Sequence, residues 1–179
     1  QVAHSCVDYQ ARQRHDCKVA YFNFALAKEM GLIPADHPHQ LTAGLKTALL
    51  ENFALVIINE YDVIHKTPIA SADIKPHPYM ATRYLQLQHP NRQGKTSGDG
   101  RSIWNGQIEL KGTTWDISSC GTGVTQLCPA TATEKKFYKT GNHNASYGCG
   151  YADLADGLSA AIMSEVFHSN GIATERTLA

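Results

Sequence analysis

Apolar residues recur at steps of four from Tyr21 to Gly31, where Phe22, Leu26 and Met30 share one face with Ala25 beside them. The spacing predicts a short amphipathic helix, and Gly31 supplies its stop because glycine accepts the left-handed conformation that closes a helix. Pro34 and Pro38 then mark a loop, and Leu41 to Leu50 predicts a second helix with Leu45, Ala48 and Leu49 on one side. Phe53 to Ile58 is short, apolar and β-branched, the composition of a buried strand. Pro68, Pro76, Pro78 and Pro90 punctuate a long stretch expected to be irregular. Beyond it Gly98, Gly100, Gly106 and Gly112 bracket 102–104 and 107–111, which read as two strands of a hairpin. Residues 112–150 are rich in Gly, Thr, Ser and Asn and are expected to be mostly loop, with one or two strands at most. The last pattern is the strongest. Leu154, Leu158, Ile162 and Val166 recur every four residues, Ala161 and Phe167 widen the stripe, and Gly171 closes it, predicting a helix over 153–170 with that stripe toward a core.

Composition narrows the function classes. The 179 residues are 42% hydrophobic and 18% charged, a globular balance that excludes wholesale disorder. Sixteen basic and sixteen acidic side chains leave no net charge, so no global field would gather a polyanion, and nucleic acid is not an expected partner. The longest apolar run, Phe53 to Ile58, falls well short of the roughly 20 residues of a membrane span, and no membrane partner is expected. Five cysteines are an odd number without framework spacing, which favours thiols in a reducing compartment and a cytoplasmic location. The chain opens on Gln1 and stops just after its last helix, and is expected to be a fragment.

Candidate chemistry collects in three places. Gly98, Asp99, Gly100 and Arg101 precede Lys111, which is read as projecting from a strand. Backbone N–H groups exposed by glycines, an arginine and a strand lysine are what neutralises phosphate charge. A Gly-Asp-Gly turn and a solvated edge lysine are the plainer account of the same residues. Asp153 and Asp156 lie at a helix start, where the macrodipole favours negative charge, while Glu165 borders the apolar stripe and is expected to have a basic partner. Cys120, Cys128, His143 and Cys149 are candidate thiolate and imidazole ligands, although their spacing is wider than zinc sites use. Cys6 and Cys17 have no obvious base beyond His4 and His15, and spacing alone does not make a nucleophile and its base.

The order of these segments resembles the selenoprotein O or YdiU family, a divergent branch of the protein-kinase fold. The likeness rests on Gly-Asp-Gly-Arg at 98–101, Lys111-Gly112, the glycine turn at Gly148 to Gly150, and Ser164-Glu165-Val166-Phe167-His168 followed by Gly171-Ile172-Ala173-Thr174-Glu175-Arg176-Thr177-Leu178. It covers 96–179 well and the earlier chain loosely. The fold it implies is α+β, the N-terminal lobe of a kinase-like domain with a twisted antiparallel sheet and a long helix. Residues 1–95 would then be a family-specific extension and 96–179 the nucleotide-binding lobe. The implied activity is transfer of AMP from ATP to Ser, Thr or Tyr hydroxyls of protein substrates, with Mg²⁺ or Mn²⁺. Gly98, Gly100, Arg101, Lys111, Cys149 and Gly150 would contact the nucleotide.

Departures from the family qualify the likeness. Cys149 stands where the family has Asp, the stretch from Lys111 to the second turn is longer, and Ala160 replaces the helix glutamate that pairs with the lysine. Asp156 or Asp153, on the same helix face, are the candidate substitutes. The catalytic base and metal ligands of the fold would lie downstream of Ala179, so this piece alone is expected to be inactive. Two alternatives stay open: a catalytically inactive, nucleotide-binding pseudokinase scaffold, and a thiolate metal module.

Overall fold

A computed structural model describes residues 6–82, 84–86, 95–97, 100–128, 131, 134–142 and 150–179. Its elements are β1 (Cys6–Tyr9), β2 (Ala11–Gln13), α1 (Phe24–Met30), α2 (Ala43–Phe53), β3 (Leu55–Ile57), α3 (Glu60–Ile64), a 3-10 turn at Ser71–Asp73, β4 (Tyr79–Thr82), β5 (Tyr84–Gln86), β6 (Lys95–Ser97), β7 (Ser102–Leu110), β8 (Thr113–Cys120) and α4 (Leu154–Ser169). The architecture is α+β, with a four-stranded sheet in the order β1-β4-β7-β8 and two-stranded pairs β2-β3 and β5-β6. The β1-β4 pair is antiparallel, with Tyr9 opposite Tyr79, and Met80 of β4 faces Trp104 of β7. Among the described residues no helix is long and apolar enough to cross a membrane.

The chain forms two compact units, one of Gln1–Arg14, Leu55–Gly106 and Asp116–Tyr151, the other of His15–Ala54, Gln107–Trp115 and Ala152–Ala179. Each takes segments from both sides of position 95. The core of the first joins Tyr9, Ala11, Leu55, Ile57, Tyr79, Ala81, Ile103 and Leu127. Each large aliphatic side chain buried there contributes about 1.5–3 kcal/mol. In the second, Phe22, Ala27, Ile33 and Leu49 are packed by Val19, Leu41, Leu45, Phe53 and Leu178.

Local signals explain α1. Asn23 caps its start by accepting a hydrogen bond from the Leu26 amide at 2.9 Å, and Gly31 closes it at φ +81°. Phe53, expected in a strand, instead ends α2, and only Leu55–Ile57 is extended. The proline-punctuated stretch is less irregular than its composition implies, since it contains β4 and follows α3.

The hairpin differs from its expectation. β7 runs unbroken through Gly106, and the chain reverses at Lys111 and Gly112, whose φ angles of +52° and +75° are those of a two-residue turn matched to strand twist. Lys111 is therefore a turn residue, not a strand residue. The return strand β8 occupies part of the supposed loop. Its half-buried positions Trp115, Ile117 and Ser119 alternate with exposed ones, a period-two pattern that its polar composition conceals.

The terminal helix forms where expected but packs on another side. Ala161 and Ser164 are its buried residues, whereas Ile162 is 63% exposed and Val166 45%. The small side chains are the covered ones and the bulky stripe is turned outward. Leu154 and Leu158 border an apolar cleft of about 330 Å³, together with Val19, Tyr21, Leu49 and Phe53.

Candidate functional site

The glycine-rich candidates meet in the first unit. Gly100 sits at φ +65°, and a Cβ there would lie 2.2 Å from the Cys128 backbone. Gly150, at φ +85°, would place a Cβ 2.4 Å from the Val124 nitrogen. No side chain fits at either position without moving backbone, so both glycines are required by close approach as well as by φ.

Both turns are stitched to one segment, residues 121–125. The Gly100 carbonyl accepts from the Thr125 amide and the Thr125 hydroxyl, each at 2.9 Å. The Arg101 carbonyl accepts from the amides of Gly121 (2.8 Å) and Thr122 (3.0 Å) and from the Thr122 hydroxyl (3.2 Å). From the other side the Gly123 amide donates to the Gly150 carbonyl at 2.9 Å, and Arg101 Nη1 donates to the Tyr151 carbonyl at 2.7 Å.

The segment is itself anchored. Ile57 of β3 donates its amide to the Thr122 carbonyl at 2.9 Å, and Asn59 Nδ2 donates to the carbonyls of Val124 (2.9 Å) and Tyr138 (3.0 Å). Next to it the Tyr9 hydroxyl accepts from the Gln126 amide at 2.8 Å and donates to Glu60 Oε1 at 2.6 Å. Burial pushes the Tyr9 hydroxyl far above its ordinary value, with the Glu60 carboxylate adding to the rise against the lowering effect of the Gln126 bond. Tyr9 therefore stays protonated and keeps both bonds. Thr125, Asn59 and Tyr151 do not stand out in the sequence. Only Gly121-Thr122-Gly123 hints at the segment, as a glycine-spaced run.

Gly98 and Cys149 lie outside the described residues, as do Asp99, His143 and Gly148. Lys111 belongs to the second unit, where its ammonium donates to the carbonyls of Lys28 (3.0 Å) and Glu29 (3.1 Å). Those are among the last carbonyls of α1, which lack helical partners and carry the negative end of the macrodipole. The lysine thus caps a helix. It pairs with neither Asp153, the N-cap of α4, nor Asp156 in its first turn, so the expected lysine–carboxylate pair is not formed.

Glu165 does have the basic partner expected of it. Arg176 Nε and Nη2 each bond one of its carboxylate oxygens at 2.9 Å, and Nη1 reaches Glu29 at 2.6 Å. This fork holds the Glu165 carboxyl below its ordinary range. The tie is structural, joining the C-terminal segment to α1 and α4. Asn23 adds to it by donating its amide to the Leu178 carbonyl at 2.8 Å.

Of the four candidate metal ligands only Cys120 and Cys128 are among the described residues. Cys128 is buried, Cys6 and Cys120 are exposed, and among the described residues no group of three or more His, Cys, Asp or Glu side chains is placed to hold a metal ion.

The close approach that requires Gly100 and Gly150 is to the protein's own backbone, at Cys128 and at Gly123 and Val124, and Arg101 stands beside both turns with Nη1 on the Tyr151 carbonyl. Comparison with protein-family models, with curated proteins and with solved structures returns no match.

Proposed function

We propose that this chain is the nucleotide-binding part of a protein adenylyltransferase of the selenoprotein O kind, holding ATP for transfer of AMP to protein hydroxyls. One observation carries the reading. Two glycine turns 50 residues apart, Gly100-Arg101 and Gly150-Tyr151, are bonded to the same buried segment, and these are the turns that the family resemblance assigns to ATP. Phosphoryl and nucleotidyl transfer depend chiefly on positioning and charge neutralisation, and rigid backbone with Arg101 supplies a start on both.

A second reading, a nucleotide-binding pseudokinase scaffold without transfer activity, is favoured by Lys111. Its ammonium is committed to the end of α1, and Ala160 leaves the helix without the usual carboxylate. Calorimetric titration of the chain with ATP and Mg²⁺ tests what both readings share. Arg101→Ala is expected to lose at least about tenfold in affinity while retaining its far-UV circular dichroism. No ATP binding by the unsubstituted chain overturns both. Label from α-phosphate-labelled ATP, in a protein carrying this region together with a catalytic lobe, separates the enzyme from the scaffold.

A further inference from the structure

The second unit holds a cleft that the nucleotide reading does not use. Its volume is about 330 Å³, its lining residues all belong to that unit, and its walls are aliphatic and aromatic, with Val19, Phe53, Leu154 and Leu158 among them. Lys18 stands in the same lining, which among the described residues contains no Asp or Glu. We propose that this cleft binds a free medium-chain fatty acid anion, with the alkyl tail along the apolar walls and the carboxylate on the Lys18 ammonium. The inference is independent of ATP binding in the first unit.

Three observations carry it. The first is the cleft's size and lining. Sites for small ligands are cavities of about 300–1,000 Å³ with mostly apolar walls and a few polar groups that fix orientation. A methylene takes about the space of a water molecule in the liquid, about 30 Å³, so this cleft has room for a chain of about ten carbons. The second is charge. Lys18 is exposed, and among the described residues its ammonium has no carboxylate or hydrogen-bond partner. A cation beside apolar walls that carry no acidic side chain selects an anionic head over a neutral or cationic one.

Gly157 supplies the third. It lies in α4 and lines the cleft, and a Cβ there would meet no atom of a neighbouring element within 4 Å. Gly100 and Gly150 are required by positive φ and by close approach, but neither applies to Gly157, whose amide makes an ordinary helical bond to the Asp153 carbonyl at 3.0 Å. Glycine weakens a helix relative to alanine, so the fold alone does not call for it here. Its effect is to leave open volume in the cleft wall beside Leu154 and Leu158, where an alkyl chain can lie against the helix backbone.

Calorimetric titration of the whole chain with decanoate, below its micelle concentration, tests the proposal, with octanoate, decanol and decyltrimethylammonium as comparisons. Decanoate should bind saturably and octanoate about fifteenfold more weakly, since each buried methylene contributes a factor of about four. Lys18→Ala should weaken decanoate about fivefold and leave decanol within about twofold. Gly157→Leu fills the cleft and should weaken both at least about tenfold, while its melting temperature equals or exceeds the parent's. Absence of saturable decanoate binding by the unsubstituted chain overturns the proposal, as does equal decanoate affinity in Gly157→Leu. Unchanged decanoate affinity in Lys18→Ala, or decyltrimethylammonium binding as tightly as decanoate, overturns it whatever the folding of Gly157→Leu. A dimer in sedimentation that Gly157→Leu dissociates, without decanoate binding, gives the cleft to a second copy and overturns it as well. Since ATP is absent throughout, each of these outcomes leaves the nucleotide reading to its own test.

Discussion

The Arg176 tie gives a prediction whose size depends on which carboxylate is removed. Arg176 has a side chain only 7% exposed, so its charge is held by its partners and not by water. Glu165, 31% exposed, makes a two-pronged contact with it, whereas Glu29, 48% exposed, makes one. Glu165→Ala leaves a buried guanidinium with a single, well-solvated partner. Stranding one member of a buried pair costs about 3–5 kcal/mol, and the residual Glu29 bond puts this case near the lower end, at about 3 kcal/mol. Glu29→Ala removes an exposed single contact, for which about 1 kcal/mol or less is expected.

Urea unfolding followed by circular dichroism measures both. The same experiment against pH checks the cause. The folded-state pKa of Glu165 is depressed below its ordinary 4.5, so its contribution is present above that value and is lost as pH falls through the lower folded value. Glu165→Gln should therefore lose less stability than the parent on acidification below about 4.5. Equal costs for Glu165→Ala and Glu29→Ala, or an unchanged acid dependence in Glu165→Gln, would refute the reasoning.

Two further outcomes follow from the second unit. Lys111→Ala should cost about 1 kcal/mol in urea unfolding, through the lost helix cap, and leave ATP affinity within about twofold in calorimetry. A tenfold loss of affinity without a loss of stability would restore Lys111 to the nucleotide site. On α4, Ala161→Leu should destabilise by about 1–3 kcal/mol through overpacking, while Ile162→Ser, on the exposed stripe, should change stability by less than about 0.5 kcal/mol. The reverse order would show that the bulky stripe is the packed side.

Helix positions and stops were legible along the chain because they depend on near neighbours. Asn23 and Gly31 bound α1, and Gly171 follows α4 at φ +73°. Glu165 advertised a basic partner because a carboxylate beside an apolar stripe must be compensated, and the need itself is local. The glycine turns were visible too, since glycine is the residue that tolerates both positive φ and a backbone at contact distance. The reversal of the hairpin was not. Gly106 and Gly112 are equally permissive by composition, and the strand pairing selects the second.

What the sequence determined, then, is where helices begin and end, where the chain can bend, and which charges need a partner. Which partner each one takes was decided by tertiary structure. Lys111 turns to the end of α1, Arg101 to Tyr151, and α4 rests on Ala161 and Ser164 in preference to its leucine and isoleucine stripe. The physical reason is range. Caps and periodicity act over one or two turns of chain, but these contacts join residues separated by as many as 83 positions, and only the packing of whole elements brings them within bonding distance.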